Sequence, residues 1–455
     1  MPSPNFGEGF FLEKSGDLII ERPVTITVEK RRLRKEIFAW TLYDFANTSY
    51  SVIVVTVVYA IYFKEYIVGD LTISLGGWVR NPGDFLWGLG GSISMAIVAL
   101  SSPIMGAIAD YSNRKKRFLF VYTMACVSVM ALLYFLEPGM IVAGLLLFII
   151  GNIGFEGALV FYNGFLPQIS TPQNIGKISG YGFAVGYVGS LISLLIALPY
   201  ATRAFAANDL SIMRPTFVLA AAFFFVFSLP FFVLVKERIV NAPAVSGNYI
   251  KAGYRRTLQT IKRMREFPEI LKFLLAYFIY IDGVNTVIYF SGIFASTTLG
   301  FSMREVIQFF AIVQSSAISG AYVFGYLTDK FGPKKTIMIT LLLWIVVTIG
   351  AYFTHSASMF YVVGLIAGVA MGSSQSASRA LMGKLIPRGM EAEFYGFYAL
   401  MGKFSSILGP FTFGLVSILT GSQRYAIISL LFFFVTGLIL INRVNEKVTY
   451  KRFVL

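Results

Sequence analysis

Cysteine and histidine are almost missing from this chain: Cys126 and His355 are the only ones in 455 residues. A lone cysteine excludes an intrachain disulfide, and Cys126, inside a long apolar run, reads as a buried small hydrophobe. One histidine in a short loop gives no basis for a zinc site or a histidine proton relay, so no metal and no cofactor is expected. No nucleophile stands with a base and no phosphate-binding loop is present, which argues against a membrane-embedded enzyme. Charge is scarce as well. Asp, Glu, Lys and Arg make up 13% of the chain against 56% hydrophobic residues, with a mean hydropathy of +0.71, a composition of polytopic membrane proteins. Residues 1–36 are polar and lack a short apolar core with a small-residue cleavage site, so no removable signal peptide is expected.

What is abundant is apolar sequence. Runs long enough to cross a bilayer, about 20 residues each, begin near Ile37, Leu86, Phe118, Met140, Ile178, Met213, Ile270, Met303, Thr336, Met359, Phe394 and Tyr425. The expected class is an all-α membrane protein with twelve transmembrane helices. The formal net charge of +15 follows the same layout. With the N-terminus in the cytoplasm, 30 of the 38 Lys and Arg fall on cytoplasmic segments, six on the opposite side, and Arg379 and Lys403 inside spans. Such a bias sets orientation, so both termini are expected in the cytoplasm and no nucleic-acid partner is implied. The divisions expected are a tail over 1–36, six helices over 37–235, a basic linker over 236–269, six helices over 270–442 and a tail over 443–455. Within the linker, 249–267 reads either as a basic amphipathic helix on the membrane surface or as a solvated connector. The alternation over Val24–Val28 hints at a short strand.

The two sets of six helices carry the same writing. Gly106-x-x-x-Asp110-x-x-Asn113-Arg114-Lys115-Lys116 closes the second run, and Gly325-x-x-x-Asp329-x-x-Gly332-Pro333-Lys334-Lys335 closes the eighth, 219 residues later. Asp44, Asn47 and Ser51 on the first helix recur in spacing as Asp282, Asn285 and Tyr289 on the seventh. Two pseudo-symmetric six-helix bundles are therefore expected.

The doubled loop block resembles the signature loop of the major facilitator superfamily. The run from Trp40 to Tyr50, with Phe161-Tyr162-Asn163-Gly164-Phe165-Leu166-Pro167, Ile178-Ser179-Gly180-Tyr181-Gly182-Phe183 and Ser376-Ala377-Ser378-Arg379-Ala380-Leu381, is similar to the autophagy-related vacuolar amino-acid effluxer branch and its prokaryotic relatives. The resemblance covers the whole chain. It implies a secondary transporter with a central cavity lined by helices 1, 4, 7 and 10, in the plasma membrane of a prokaryote or the vacuolar membrane of a fungus. It also implies that Asp110 and Asp329 join the halves at the cytoplasmic side, with Gly106 and Gly325 allowing close helix approach. Both carboxylates end their own helices, where the dipole disfavours an anion. The start of a neighbouring helix, or the adjacent Arg114 and Lys330, would favour them there.

Charges inside spans are costly, usually face a protein interior or watery cavity, and mark substrate or ion paths. Five occur here: Asp44, Glu156, Asp282, Arg379 and Lys403. Asn152, Glu156 and Asn163 share one face of helix 4, as Gly368, Gly372, Gln375 and Arg379 share one face of helix 10. Asp44, Asn47, Asn152, Glu156, Asn163, Asp282, Asn285, Tyr289, Gln375, Arg379 and Lys403 are thus the candidate cavity residues, with Tyr43, Tyr50 and Tyr280 nearby. Burial invites one acid to hold a proton, with Asp282 or Glu156 as carrier. Arg379 is expected to pair with a substrate carboxylate or with one of the acids. Lys403 either joins this set or snorkels to the cytoplasmic surface. A small-molecule substrate, an amino acid or similar zwitterion foremost with peptides, sugars or organic ions open, protons and the lipid bilayer are the partners expected; an uncoupled facilitator, a non-transporting receptor or scaffold on the same fold, and static salt bridges between helices are the alternatives. Gly182, Gly186 and Gly189 on helix 5 give a spacing that brings helices close.

Overall fold

A computed structural model describes residues 23–69, 82–238, 249–405 and 408–448. Twelve helices in it are long and apolar enough to cross a membrane: α1 (Lys30–Val68), α2 (Gly83–Ser112), α3 (Lys115–Phe135), α4 (Ile141–Ile169), α5 (Ile175–Ala207), α6 (Leu210–Leu234), α7 (Pro268–Thr297), α8 (Arg304–Phe331), α9 (Pro333–Phe353), α10 (Ala357–Leu385), α11 (Glu391–Thr420) and α12 (Gln423–Asn442). No strand occurs among the described residues. The hint of a strand over Val24–Val28 is overturned, because that segment is helical and continuous with α1. Most of the expected N-terminal tail, the linker segment 239–248 and the last seven residues lie outside the described residues.

Two hydrophobic cores form, one within α1–α6 and one within α7–α12. Trp40, Tyr43, Tyr162 and Phe231 belong to the first, Tyr280, Trp344, Tyr395 and Phe434 to the second. Each bundle therefore has its own packed interior. Ala380 and Ala392 of the second bundle are buried in the first core, which marks the seam. The joints between spans explain the doubled loop block. Asn113 after α2 has φ 50°, and Gly332 after α8 has φ 91°. These matched positions need a left-handed backbone, which glycine and, less readily, asparagine supply. Pro333 then starts α9 at a position where its missing N–H costs nothing.

One span is irregular. Along α1, the α-helix gives way to π-helical turns at Ser51–Thr56 and Tyr62–Val68. Along α11, the described helical segments are Glu391–Phe404 and Leu408–Thr420. A further helix, Tyr249–Lys262, follows the first bundle and packs on α2.

Candidate functional site

At the end of the molecule that carries the basic loops, the bundles meet along two seams. In the first, α2 lies against the start of α11. Gly106 allows this approach, because a Cβ there would collide with the backbone carbonyl of Ala392. Asp110 accepts a hydrogen bond through Oδ2 from the backbone N–H of Glu393 at 2.8 Å, in the first turn of α11, where amides lack intrahelical partners. Its Oδ1 lies 3.0 Å from Lys115 Nζ, an ion pair outside hydrogen-bonding direction. Lys115 also donates to Glu391 Oε2 at 2.9 Å, and all three groups are buried. Glu393 in turn accepts from Arg256 Nε of the linker helix at 2.9 Å.

In the second seam, α8 lies against the start of α5. Asp329 accepts from the backbone N–H groups of Gly176 at 2.8 Å and Lys177 at 3.0 Å. Gly325 faces Gly180, where a Cβ would stand 3.1 Å from the Gly180 Cα. The Tyr181 and Tyr326 hydroxyls are 2.6 Å apart, and Lys177 Nζ sits 4.6 Å over the Tyr326 ring. Both aspartates thus dock on the first turn of a helix in the other bundle. Of the two sources of positive charge expected from sequence, helix starts hold both aspartates. Arg114 and Lys330 are exposed, and the buried cation of the first seam is Lys115.

A second pair of carboxylates caps the same loops from within each bundle. Glu237, just after α6, accepts from the N–H groups of Lys115 and Lys116 at 2.7 and 3.2 Å; Glu446, just after α12, accepts from Lys334 N–H at 2.9 Å. Burial raises the Glu237 carboxyl above its ordinary value, against the pull of those amides.

Deeper in the bundle, two ion pairs bridge the halves. Arg379 on α10 donates from Nη1 to Asp44 Oδ2 on α1 at 2.9 Å, with Asn163 Oδ1 at 3.4 Å. Its other nitrogens donate to Ser179 on α5, Nε to Oγ at 3.0 Å and Nη2 to the carbonyl at 2.8 Å. The guanidinium lies over the rings of Phe183 at 4.0 Å and Trp40 at 4.8 Å, a stacking that suits its planar, weakly hydrated charge. Trp40 is itself fixed, since its indole N–H donates to the Tyr162 carbonyl and the Tyr162 hydroxyl donates back to the Trp40 carbonyl. Lys403 on α11 donates to Glu156 Oε1 on α4 at 2.6 Å and is a quarter exposed. Lys403 is therefore held inside the seam and does not snorkel.

In both pairs the acid belongs to the first bundle and the base to the second. Asp282 is placed apart from them. It is fully buried, and its Oδ2 accepts from the backbone N–H of Gly409 at 2.8 Å, at the start of the second segment of α11. Its Oδ1 and the Thr286 hydroxyl have no partner among the described residues.

The remaining candidates divide. Gln375 accepts from the Tyr187 hydroxyl at 3.0 Å across the halves. Asn152 is turned into its own bundle, donating to Ser94 Oγ at 2.7 Å. Asn47 is buried and Asn285 half-buried. Tyr289 is 69% exposed, whereas Tyr43, Tyr50 and Tyr280 are core residues. Gly182 sits against the Asp44–Arg379 pair, and Gly189 against the Phe45 carbonyl of α1, so the helix 5 glycines do bring α5 onto α1. Sequence reasoning missed Lys115, Glu391, Glu393, Arg256 and Ser179 as members of the seam. Acids in a first helical turn and lysines in a basic loop are ordinary by composition. The one available signal was the alternation Glu391-Ala392-Glu393, two acids facing opposite sides at a helix start.

The geometry has clear relatives. The family model described as "Vacuole effluxer Atg22 like" matches residues 32–451. An uncharacterized MFS-type transporter, YxiO of Bacillus subtilis, is 31% identical over 423 residues, covering 92% of this chain and 96% of that protein. Autophagy-related protein 22 of Coccidioides immitis is 25% identical, covering 77% and 70%. Among solved structures, the proton:xylose symporter XylE superposes with a TM-score of 0.73 at 14% identity, covering 91% of this chain and 96% of that one. The fucose:proton symporter FucP superposes at 0.70, covering 92% and 98%. At these identities the solved structures establish the fold.

Proposed function

Because the chain belongs to the Atg22-like vacuole effluxer family, transporters of the major facilitator superfamily, we propose that it moves a small zwitterion such as an amino acid by alternating access, coupled to protons. One observation carries the substrate class. The acids Asp44 and Glu156 line the first bundle and the bases Arg379 and Lys403 the second, paired across the seam. When the bundles part, each pair must exchange its partner for another charge, because an unpaired ion in such a place is costly. A substrate ammonium fits the acidic side and its carboxylate the basic side. An arginine fork binds a carboxylate in a fixed plane, and Ser179 and the ring faces already orient that fork.

The seams at the basic end supply the alternation. With that end in the cytoplasm, the described conformation is closed to the cytoplasm, and Asp110 and Asp329 act as gates that hold it so. A carboxylate docked on a foreign helix start is a reversible contact, lost as a unit when the bundles rotate. Asp282 is the proton carrier favoured by its surroundings. Glu156 has Lys403 as counter-ion, whereas Asp282 is buried with one oxygen free among the described residues, a setting in which a proton substitutes for the missing partner.

The test is uptake by the purified protein in liposomes, after a thermal-shift screen has ranked amino acids and other small metabolites. Uptake of an amino acid that rises with an imposed inward proton gradient is expected in the wild type, and Asp282→Asn should retain exchange while losing the response to the gradient. Uptake indifferent to the gradient refutes coupling, and an identical response in Asp282→Asn refutes the assignment. Failure of every amino acid to shift melting or to be taken up removes the zwitterion.

A further inference from the structure

The linker helix Tyr249–Lys262 has two faces with the same 4-then-3 spacing. Gly253, Thr257 and Thr260 are buried. They fit the helix against α2: a Cβ on Gly253 would run into the Ile108 side chain, and the Thr257 hydroxyl is 3.4 Å from the Pro103 carbonyl. Tyr254, Leu258 and Ile261 lie on the adjoining face, roughly a quarter turn round the helix, and are 52%, 40% and 52% exposed. Lys251, Arg255 and Lys262 lie along one side of this stripe, opposite the packed face, and are exposed too. A helix polar on one side needs no second apolar stripe if water covers it. Here the stripe stands beside the end of a membrane-spanning helix. Ile108 and Pro103 lie four and nine residues before the end of α2 at Ser112, which places the helix roughly 6 to 14 Å along the α2 axis from that end. Leucine, isoleucine and tyrosine bordered on one side by lysine and arginine match the headgroup and acyl boundary of an anionic leaflet.

We propose that this face of the linker helix binds anionic phospholipid, and that the bound lipid holds the helix on the basic-end seam and favours its closed state. The link to the seam is Arg256, at the edge of the packed face on the side away from the apolar stripe. Its Nε donates to Glu393 and its Nη2 to the Gly389 carbonyl at 3.1 Å. The N–H of that same Glu393 donates to Asp110. A helix held on the lipid thereby clamps the first turn of α11 against α2. The lipid contact stands on the helix alone; its effect on closure rests on the alternating-access reading above.

Two measurements on the full-length protein in vesicles separate these parts. In the first, Leu258→Cys carries an environment-sensitive fluorophore, with the wild type, whose Cys126 is buried, as the unlabelled control. Brominated acyl chains are placed on either phosphatidylcholine or phosphatidylglycerol at equal mole fraction. Quenching is expected from both and more strongly from brominated phosphatidylglycerol, and Arg255→Gln with Lys262→Gln should lower that enrichment about fivefold per charge removed. No quenching, or equal quenching by the two lipids, overturns the lipid contact and returns the helix to a solvated connector. In the second, a Cys replaces Ser102, which is buried and whose backbone carbonyl faces Gly396 of α11, and reacts with a polar thiol reagent supplied at the basic end. Phosphatidylglycerol is expected to slow labelling, the Arg255→Gln and Lys262→Gln pair to abolish the lipid dependence, and Arg256→Gln to speed labelling in every lipid. If Arg256→Gln speeds labelling but lipid composition does not matter, the lipid effect on closure is wrong. If neither Arg256→Gln nor Asp110→Asn changes labelling, the gate reading itself fails, while quenching still reports on the lipid.

Discussion

The Arg379 guanidinium, carried by the second bundle, is held by three helices of the first, by Asp44 of α1, Asn163 of α4 and Ser179 of α5. Removing one member of a buried pair leaves the other charge without a partner, at a cost of about 3 to 5 kcal/mol. Arg379→Ala is therefore expected to lower the chemical-denaturation stability of the detergent-solubilised protein by that order. Asp44→Asn together with Arg379→Gln should lose clearly less than the sum of the single changes, because no buried ion then remains. Additive losses would mean that the two side chains do not interact. Gly182→Ala is the geometric counterpart: its Cβ would fall 2.6 Å from Arg379 Nη2 and into Asp44, so it should loosen the pair without removing a charge.

Helix starts matter more than helix interiors in this molecule. The first turns of α5 and α11 receive Asp329 and Asp110 from the opposite bundle, and those of α3 and α9 receive Glu237 and Glu446 from their own. The seams differ in strength: α2–α11 adds the Lys115 ion pairs and the Arg256 clamp, whereas α5–α8 relies on two amides and tyrosine contacts. A hydrogen bond to a charged group contributes about 1.5 to 3 kcal/mol, so Asp110→Asn should speed thiol labelling at Ser102→Cys by roughly tenfold or more. Asp329→Asn should have a smaller effect at that position. Gly106→Ala should act like Asp110→Asn, because the backbone of Ala392 cannot yield unless α11 moves away. Slow labelling in Gly106→Ala would contradict the close approach.

For the whole molecule, two separately packed cores joined at one end form a hinge-like assembly, in which rigid bundles rotate about small contacts. Closure at the basic end must then be undone in every cycle. Replacing Tyr181 and Tyr326 by Cys and bridging them with a short, cleavable bifunctional thiol reagent should stop flux, and cleavage of the bridge should restore it. Flux that persists in the bridged protein would show that the α5–α8 seam need not open.

Much of this was written in the chain order. Twelve apolar runs, the 219-residue repeat of the loop block and the bias of lysine and arginine follow from what a bilayer demands of any sequence, so helix number and the doubled plan needed no coordinates. The loop aspartates and glycines were legible because a signature of fixed spacing carried them. Partners were not. Sequence put four charges on equivalent helices, but which charges meet depends on how the bundles rotate against each other, and that rotation joins Asp44 to Arg379 and Glu156 to Lys403 while leaving Asp282 against Gly409 of α11. Lys115 looked like one more basic loop residue until folding buried it between Asp110 and Glu391. Sequence by itself determined which residues leave water, because that is a matter of composition and period. Only the tertiary structure decided which of the costly ones compensate one another, because compensation acts over about 3 Å and between segments far apart in the chain.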